Sequence, residues 1–174
     1  DLPLSVQAAV LDLGTGTGAI ALALASERKQ WRITAVDVQA PAVDLAERNR
    51  QRYQLDNVTV FYSNWFAEIP AQQFDLIVSN PPYIEQSDPH LTQGDVRFEP
   101  ASALVSGIDG LDDLRLLAQQ SASFLANAGW LLVEHGFDQG GAVRELFEIN
   151  GFSQIETRLD LNGLERITLG CLRR

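Results

Sequence analysis

The chain has no methionine and one cysteine, Cys171. A lone cysteine excludes an internal disulfide and any cysteine-based metal cluster, and it suits a reducing compartment. Its two histidines, His90 and His135, stand too far apart in sequence to form a ligand pattern, so no metal is expected. Basic residues are scarce: 13 Lys and Arg face 23 Asp and Glu, a formal charge of −10. That is the wrong sign for a surface that grips phosphate backbones, and direct nucleic-acid binding is not expected. Long apolar runs are missing too. The most apolar stretch, VLDLGTGTGAIALALA (10–25), is broken by Asp12, two threonines and three glycines, which excludes a membrane span or a signal peptide. A cytoplasmic protein with no membrane partner is the expectation.

What remains is an ordinary globular mixture, 45% hydrophobic and 21% charged, able to bury a core. At 174 residues the chain has the length of one large domain, since a second core would need roughly 100 more. The missing methionine and the opening Asp1 are expected of a domain excised from a longer product.

Short β-branched runs alternate with helical patterns. Strands are predicted at 8–13, 32–38, 58–63, 74–80 and 130–136, and helices at 19–29, 42–54, 111–126 and 141–150. Pro41 suits a first helical turn, and Gly151 suits a helix end. Strand and helix in alternation mean parallel strands joined by right-handed crossovers, an α/β fold with both sheet faces covered. The tail departs from this rhythm. Segments 153–161 and 164–172 flank Asn162-Gly163, a hairpin signal in which both residues tolerate positive φ. Five parallel-type strands and a terminal antiparallel hairpin make seven. Residues 84–110, rich in Pro, Gly, Ser and Asp, are too long for a simple connector and follow the fourth strand, where open α/β sheets bind ligands.

DLGTGTG (12–18) joins the first strand to the first helix. Gly14, Gly16 and Gly18 permit a tight turn, and Thr15 and Thr17 lie between them, beside the helix amino end with its unpaired N–H groups. Gly14, Gly16 and Ala19 also satisfy the dinucleotide pattern, so the turn alone does not separate a nicotinamide cofactor from S-adenosylmethionine. Asp37, at the end of strand two, offers a carboxylate to ribose hydroxyls in either case. Asp12 tilts the balance: an acid there would meet the cationic amino group of a methionine-type tail, and would be unhelpful beside a pyrophosphate. After strand three, Asn64 and Trp65 are candidates for the adenine amino group and ring face, the stack contributing about 1 kcal/mol.

Asn80-Pro81-Pro82-Tyr83 ends strand four. Two prolines remove two N–H donors and keep the chain extended, leaving carbonyls without local amide competition. The Asn80 side-chain oxygen and the Pro81 carbonyl could each accept one N–H of a planar NH2 group, with Tyr83 packed over its flat face. Such placement lowers a barrier by several kcal/mol, and the dipoles stabilise charge developing on nitrogen. Glu134 and His135 are expected to shape the pocket. Arg97 and Glu99 could orient the long loop, and ERNRQR (47–52) reads as a solvated helix face.

DLGTGTGAIALALA, Asp37, FDLIVSNPPYI (74–84), GDVRFEP (94–100) and LLVEHG (131–136) resemble the HemK/PrmC family of class I methyltransferases, over nearly the whole chain. The resemblance implies a Rossmann-like, S-adenosylmethionine-dependent fold with a seven-stranded, mostly parallel sheet. It further implies N5-methylation of the glutamine in the Gly-Gly-Gln motif of class I peptide chain release factors. A monomer is the expectation. By that resemblance Gly14 to Gly18, Asp37, Trp65 and Asn80 hold the methyl donor, and Asn80 to Tyr83 hold the glutamine. Asn-Pro-Pro-Tyr is shared with adenine-N6 and cytosine-N4 DNA methyltransferases, so it specifies a planar nitrogen; the 94–100 loop and the acidity point to a protein. A ribosomal-protein glutamine, a DNA base, and a non-catalytic S-adenosylmethionine-binding module remain alternatives. Two departures stand out: Asn64 replaces the family's usual Asp, and the family's amino-terminal helical domain, which engages the release factor, is not in this sequence.

Overall fold

A computed structural model of the chain describes residues 2–88 and 104–173. Its elements are β1 (Ala9–Leu13), α1 (Ala19–Glu27), β2 (Arg32–Asp37), α2 (Ala40–Arg52), β3 (Val58–Tyr62), β4 (Phe74–Ser79), α3 (Asp112–Phe124), β5 (Leu125–Glu134), α4 (Gly140–Ile149), β6 (Phe152–Leu159) and β7 (Glu165–Leu172). The strands form one seven-stranded sheet in the order β3-β2-β1-β4-β5-β7-β6. β1 through β5 pair in parallel, and β7 runs antiparallel between β5 and β6. The α/β reading and the antiparallel ending therefore hold.

Alternation along each strand sorts the core into two layers. On one face Leu11, Leu13, Ile77, Leu131 and Val133 pack with Leu114 and Leu117 of α3 and with Val143 and Phe147 of α4. On the other, Val10, Ile33, Ala35, Leu76 and Val78 pack with Ala21, Leu22 and Ala25 of α1. Both faces of the central strands are apolar, which is why β1 and β4 read as near-continuous hydrophobic runs. Among the described residues no helix is long and apolar enough to cross a membrane.

Most element ends shift by one or two residues from the sequence reading, and three features differ in kind. α2 begins at Ala40, with Pro41 inside its first turn. α3 stops at Phe124 and β5 starts at once, because Leu125 pairs with Phe74 before the register shifts. Ala128 in that stretch has φ 62, and a Cβ on Gly129 would lie 3.0 Å from the Phe74 carbonyl oxygen, so the bulge is a close backbone approach that periodicity cannot reveal. The terminal hairpin does not turn on two left-handed residues. Only Gly163 is left-handed, at φ 79. Gly163 N–H donates to Asp160 O at 3.0 Å, Asp160 N–H to Leu164 O at 2.8 Å, and Asp160 Oδ1 accepts from the Asn162 and Leu164 amides. An Asp-initiated turn with one glycine at its end replaces the two-residue loop.

The strand order reverses between β1 and β4. The glycine turn leaves β1 and the Asn80 tetrapeptide leaves β4, so the two motifs flank the crevice where open α/β sheets take ligands. Ser79 Oγ donates to Leu13 O at 2.8 Å and holds the two strand ends together.

Candidate functional site

A cavity of about 360 Å³ opens at this crevice. Its walls include Gly14, Thr15, Gly16, Thr17, Asp37, Ser63, Trp65, Asn80 and Pro82, with Ala19 and Ile20 from the start of α1 and Val38 and Gln39 after β2. A larger hollow of about 830 Å³ lies on the α1 side of the sheet, lined mainly by apolar groups such as Leu24, Trp31, Leu76 and Leu132. Its described lining includes Glu27 and Trp31 but neither the glycine turn nor the tetrapeptide, so the crevice is the candidate site.

The turn is built on alternate left-handed glycines, with φ of 69° at Gly14, 57° at Gly16 and 84° at Gly18. At Gly18 a Cβ would sit 3.0 Å from Leu22 Cδ1 and 3.3 Å from Ala46, so the third glycine lets α1 close against α2. At Gly14 it would face the Trp65 ring at 3.5 Å, inside the cavity wall. Thr17 O accepts from Asn49 of α2 at 2.9 Å. α1 has no side-chain cap and no acidic residue in its first turn, leaving amide dipoles aimed at the cavity.

Two carboxylates fix this turn from different sides. Asp37 is 8% exposed; its Oδ2 accepts from Gly16 N–H at 2.9 Å and its Oδ1 from Gln39 N–H at 2.8 Å. Asp12 is fully buried beneath the turn and off the cavity wall. Its Oδ2 accepts from the Thr15 hydroxyl at 2.6 Å and from Ala21 N–H at 3.1 Å, while Oδ1 has no hydrogen-bond partner among the described residues. Burial pushes its pKa up from 3.8 to about 6, against the pull of the Thr15 and Ala21 hydrogen bonds.

Trp65 is held in an uncommon backbone conformation, φ 50. Ser63 Oγ donates to its carbonyl at 2.6 Å, and Ser63 N–H donates to Asp37 O at 3.0 Å. Asp113 of α3 stands behind it: burial raises the Asp113 pKa, and hydrogen bonding to Ser106 and Trp65 counters that rise. Asn64 is exposed and outside the cavity wall; its N–H donates to Glu68 Oε2 at 2.8 Å.

On the β4 side, Asn80 and Pro82 face the cavity; Pro81 is buried and Tyr83 half-buried, both off its wall. Tyr83 Oη lies 3.5 Å from Glu134 Oε1, and Tyr83 O accepts from Gln139 Nε2 at 3.0 Å. His135 is buried away from the cavity and hydrogen-bonds through both ring nitrogens, to Gly136 O and to Thr168 Oγ1, each at 2.8 Å. His90, Arg97, Glu99 and the 94–100 motif lie outside the described residues. Sequence reasoning missed Gln139, Asp113 and Thr168. Gln139 stands in the turn before α4, Asp113 in the first turn of α3 and Thr168 within β7, and only the tertiary fold gives each its partner.

The described arrangement can cradle a nucleoside-bearing ligand between the turn and Trp65, with acceptor groups of the tetrapeptide at its far end. A family model described as the methyltransferase small domain matches residues 1–106. The release factor glutamine methyltransferase of Pseudomonas aeruginosa is 63% identical over 163 residues, covering 94% of this chain and 59% of that protein. The Escherichia coli protein of the same name is 53% identical over 161 residues, covering 92% and 58%. The chain thus spans a little under three fifths of the length of these curated relatives. Among solved structures, a methyltransferase from Pyrococcus furiosus superposes with a TM-score of 0.74 at 18% identity, over 96% of this chain and 76% of that one, a likeness of fold.

Proposed function

Because the chain belongs to the methyltransferase small-domain family, we propose that it is the catalytic domain of a cytoplasmic release factor glutamine methyltransferase, using S-adenosylmethionine to methylate a glutamine side-chain amide. The observation that carries this reading is the placement of Asn80 and Pro82 in the same cavity as the glycine turn, Asp37 and Trp65. Relatives at 53% and 63% identity that carry the release factor name support the choice of substrate. The acidic balance, −10, suits a basic protein partner better than DNA.

The residues present fit the cofactor. Asp12 Oδ1, buried and unpartnered among the described residues, supplies negative charge under the turn for a cationic amino group; the Trp65 ring, seated against Gly14 at contact distance and on the cavity wall, offers a face to a flat base. Asp37 stands at the wall for ribose hydroxyls. Bound there, S-adenosylmethionine supplies an electrophilic methyl group on its sulfonium.

The tetrapeptide performs the rest by positioning. The Asn80 side-chain oxygen and the Pro81 carbonyl each accept one N–H of the glutamine carboxamide, turning its π face towards the donor, while Tyr83 packs on the amide plane. As the N–C bond forms and the methyl–sulfur bond breaks, leaving S-adenosylhomocysteine, these two dipoles stabilise the positive charge growing on nitrogen. The methylated nitrogen is then acidic enough to lose its proton to water, so no strong base is needed. The test offers radiolabelled cofactor and the full-length protein to a release factor, a ribosomal protein and duplex DNA side by side. Label on a release factor glutamine is expected; label on DNA alone sinks the reading.

A further inference from the structure

Gln139 precedes α4 and is half-buried, yet it ties together three segments distant in sequence. Its Nε2 donates to Tyr83 O at 3.0 Å and to Gly110 O at 3.4 Å. Its Oε1 accepts from Gly136 N–H at 2.8 Å, and its own N–H donates to Gly136 O at 3.0 Å. The partners settle the orientation of the carboxamide: two carbonyls need the amino end and one amide needs the oxygen. Its backbone is fixed as well, since Gln139 O accepts from Val143 N–H in the first turn of α4.

The two carbonyls are the departure and the return of the long excursion. The chain leaves β4 through Asn80 to Tyr83 and comes back at Gly110, just before α3. Near its base the two arms pair, Ile84 N–H donating to Leu104 O at 2.9 Å and Ser106 N–H to Ile84 O at 3.0 Å. Gly110 makes the approach possible: at φ 72, a Cβ there would fall 2.4 Å from Tyr83 O and 2.7 Å from Gln139 Nε2. Tyr83 is thus held at both ends by β5 and the segment that follows it, its hydroxyl near Glu134 and its carbonyl on Gln139. Gln139 is not on the cavity wall.

We propose that Gln139 is a positioning residue: by holding the Tyr83 carbonyl it sets the Tyr83 end of the tetrapeptide, and through it the acceptor amide, without touching the methyl donor. This rests on the reading of Asn80 to Tyr83 as the amide-binding segment. A donor is what the position requires. A carboxylate there still accepts from Gly136 but faces two carbonyls with no proton to give, whereas a protonated carboxyl restores one donor and one acceptor.

The test uses the full-length protein, purified release factor and radiolabelled S-adenosylmethionine, with Gln139→Glu and Gln139→Leu. At about pH 8 both variants are expected to lose about tenfold or more in kcat, with cofactor Kd within about threefold of the parent. As pH falls towards about 6, the Gln139→Glu rate relative to the parent should climb while Gln139→Leu stays low. Parental kcat in Gln139→Glu at every pH would overturn the proposal. So would loss of cofactor affinity and melting temperature in both variants in proportion to kcat, the mark of a merely structural residue. If the parent itself leaves release factor glutamine unmethylated, the functional reading falls first, and the role at an acceptor amide falls with it.

Discussion

Gly16 N–H donates to Asp37 Oδ2 at 2.9 Å, so the carboxylate assigned to the ribose also locks the turn that surrounds it. Oδ1 takes Gln39 N–H at 2.8 Å, tying the start of α2 to the same side chain. Asp37→Asn puts an NH2 group against one of those two N–H donors, whichever way the amide turns. Each charge-assisted bond contributes about 1.5–3 kcal/mol. Cofactor Kd, measured by calorimetry, should rise by about tenfold or more, with a fall in melting temperature; an unchanged Kd would remove Asp37 from the site.

Asp12 makes stability depend on pH with an unusual sign. Its folded pKa, raised from 3.8 to about 6 by burial, means that the folded chain keeps a proton which the unfolded chain has released. The resulting penalty is absent below about pH 4, grows as pH rises to about 6, and is constant above that. Asp12→Asn cannot ionise. Thermal melts should find its melting temperature, relative to the parent, increasing from about pH 4 to 6 and then level. A pH-independent difference would place the carboxylate outside that burial effect.

The same substitution tests charge at the cofactor. At about pH 8, where Asp12 is ionised, Asp12→Asn should weaken S-adenosylmethionine by about tenfold, the expected worth of one partly screened opposite charge. Equal affinity would leave Asp12 a purely structural residue of the turn.

A second buried network lies behind the site. With Nδ1–H of His135 donating to Gly136 O, its Nε2 accepts from Thr168. Thr168 in turn accepts from Thr157 at 2.9 Å, and Thr157 from Arg144 at 2.8 Å. Burial lowers the His135 pKa, so its contribution is complete above the ordinary histidine value and is lost as pH falls below about 6.5. Thr168→Val strips the hydroxyl that this chain passes through. It should cost about 1–3 kcal/mol near neutral pH, less in acid, with cofactor Kd unchanged. Denaturant melts at several pH values check this; a cost independent of pH would detach His135 from it.

The parts legible in the sequence are those carried by local rules. The near-continuous apolar runs of β1 and β4, the glycines at 14, 16 and 18, Asp37 and the tetrapeptide all follow from neighbours in sequence, and the structure brings Gly14 to Thr17, Asp37, Trp65, Asn80 and Pro82 to one cavity. What could not be read depends on contacts between distant segments or, in the terminal hairpin, on a local competition for amides. Gln139 looks like any polar residue ahead of a helix until Tyr83 and Gly110 arrive beside it. The bulge at Ala128 and Gly129 exists because of Phe74, and the hairpin loop depends on the Asp160 carboxylate capturing two amides, a competition that the Asn162-Gly163 pair alone conceals. Asp12 was legible as an acid near the turn, but not as one wholly beneath it.

The decisive measurement is methyl transfer to a release factor by the full-length protein and by its Asn80→Ala variant, with the modified residue located by mass spectrometry and cofactor Kd measured in parallel. One methyl group on the Gly-Gly-Gln glutamine is expected for the parent. No detectable transfer is expected of the variant, with Kd within about tenfold. Equal turnover by the two proteins, or a methyl group found on another kind of acceptor, would contradict the proposed function.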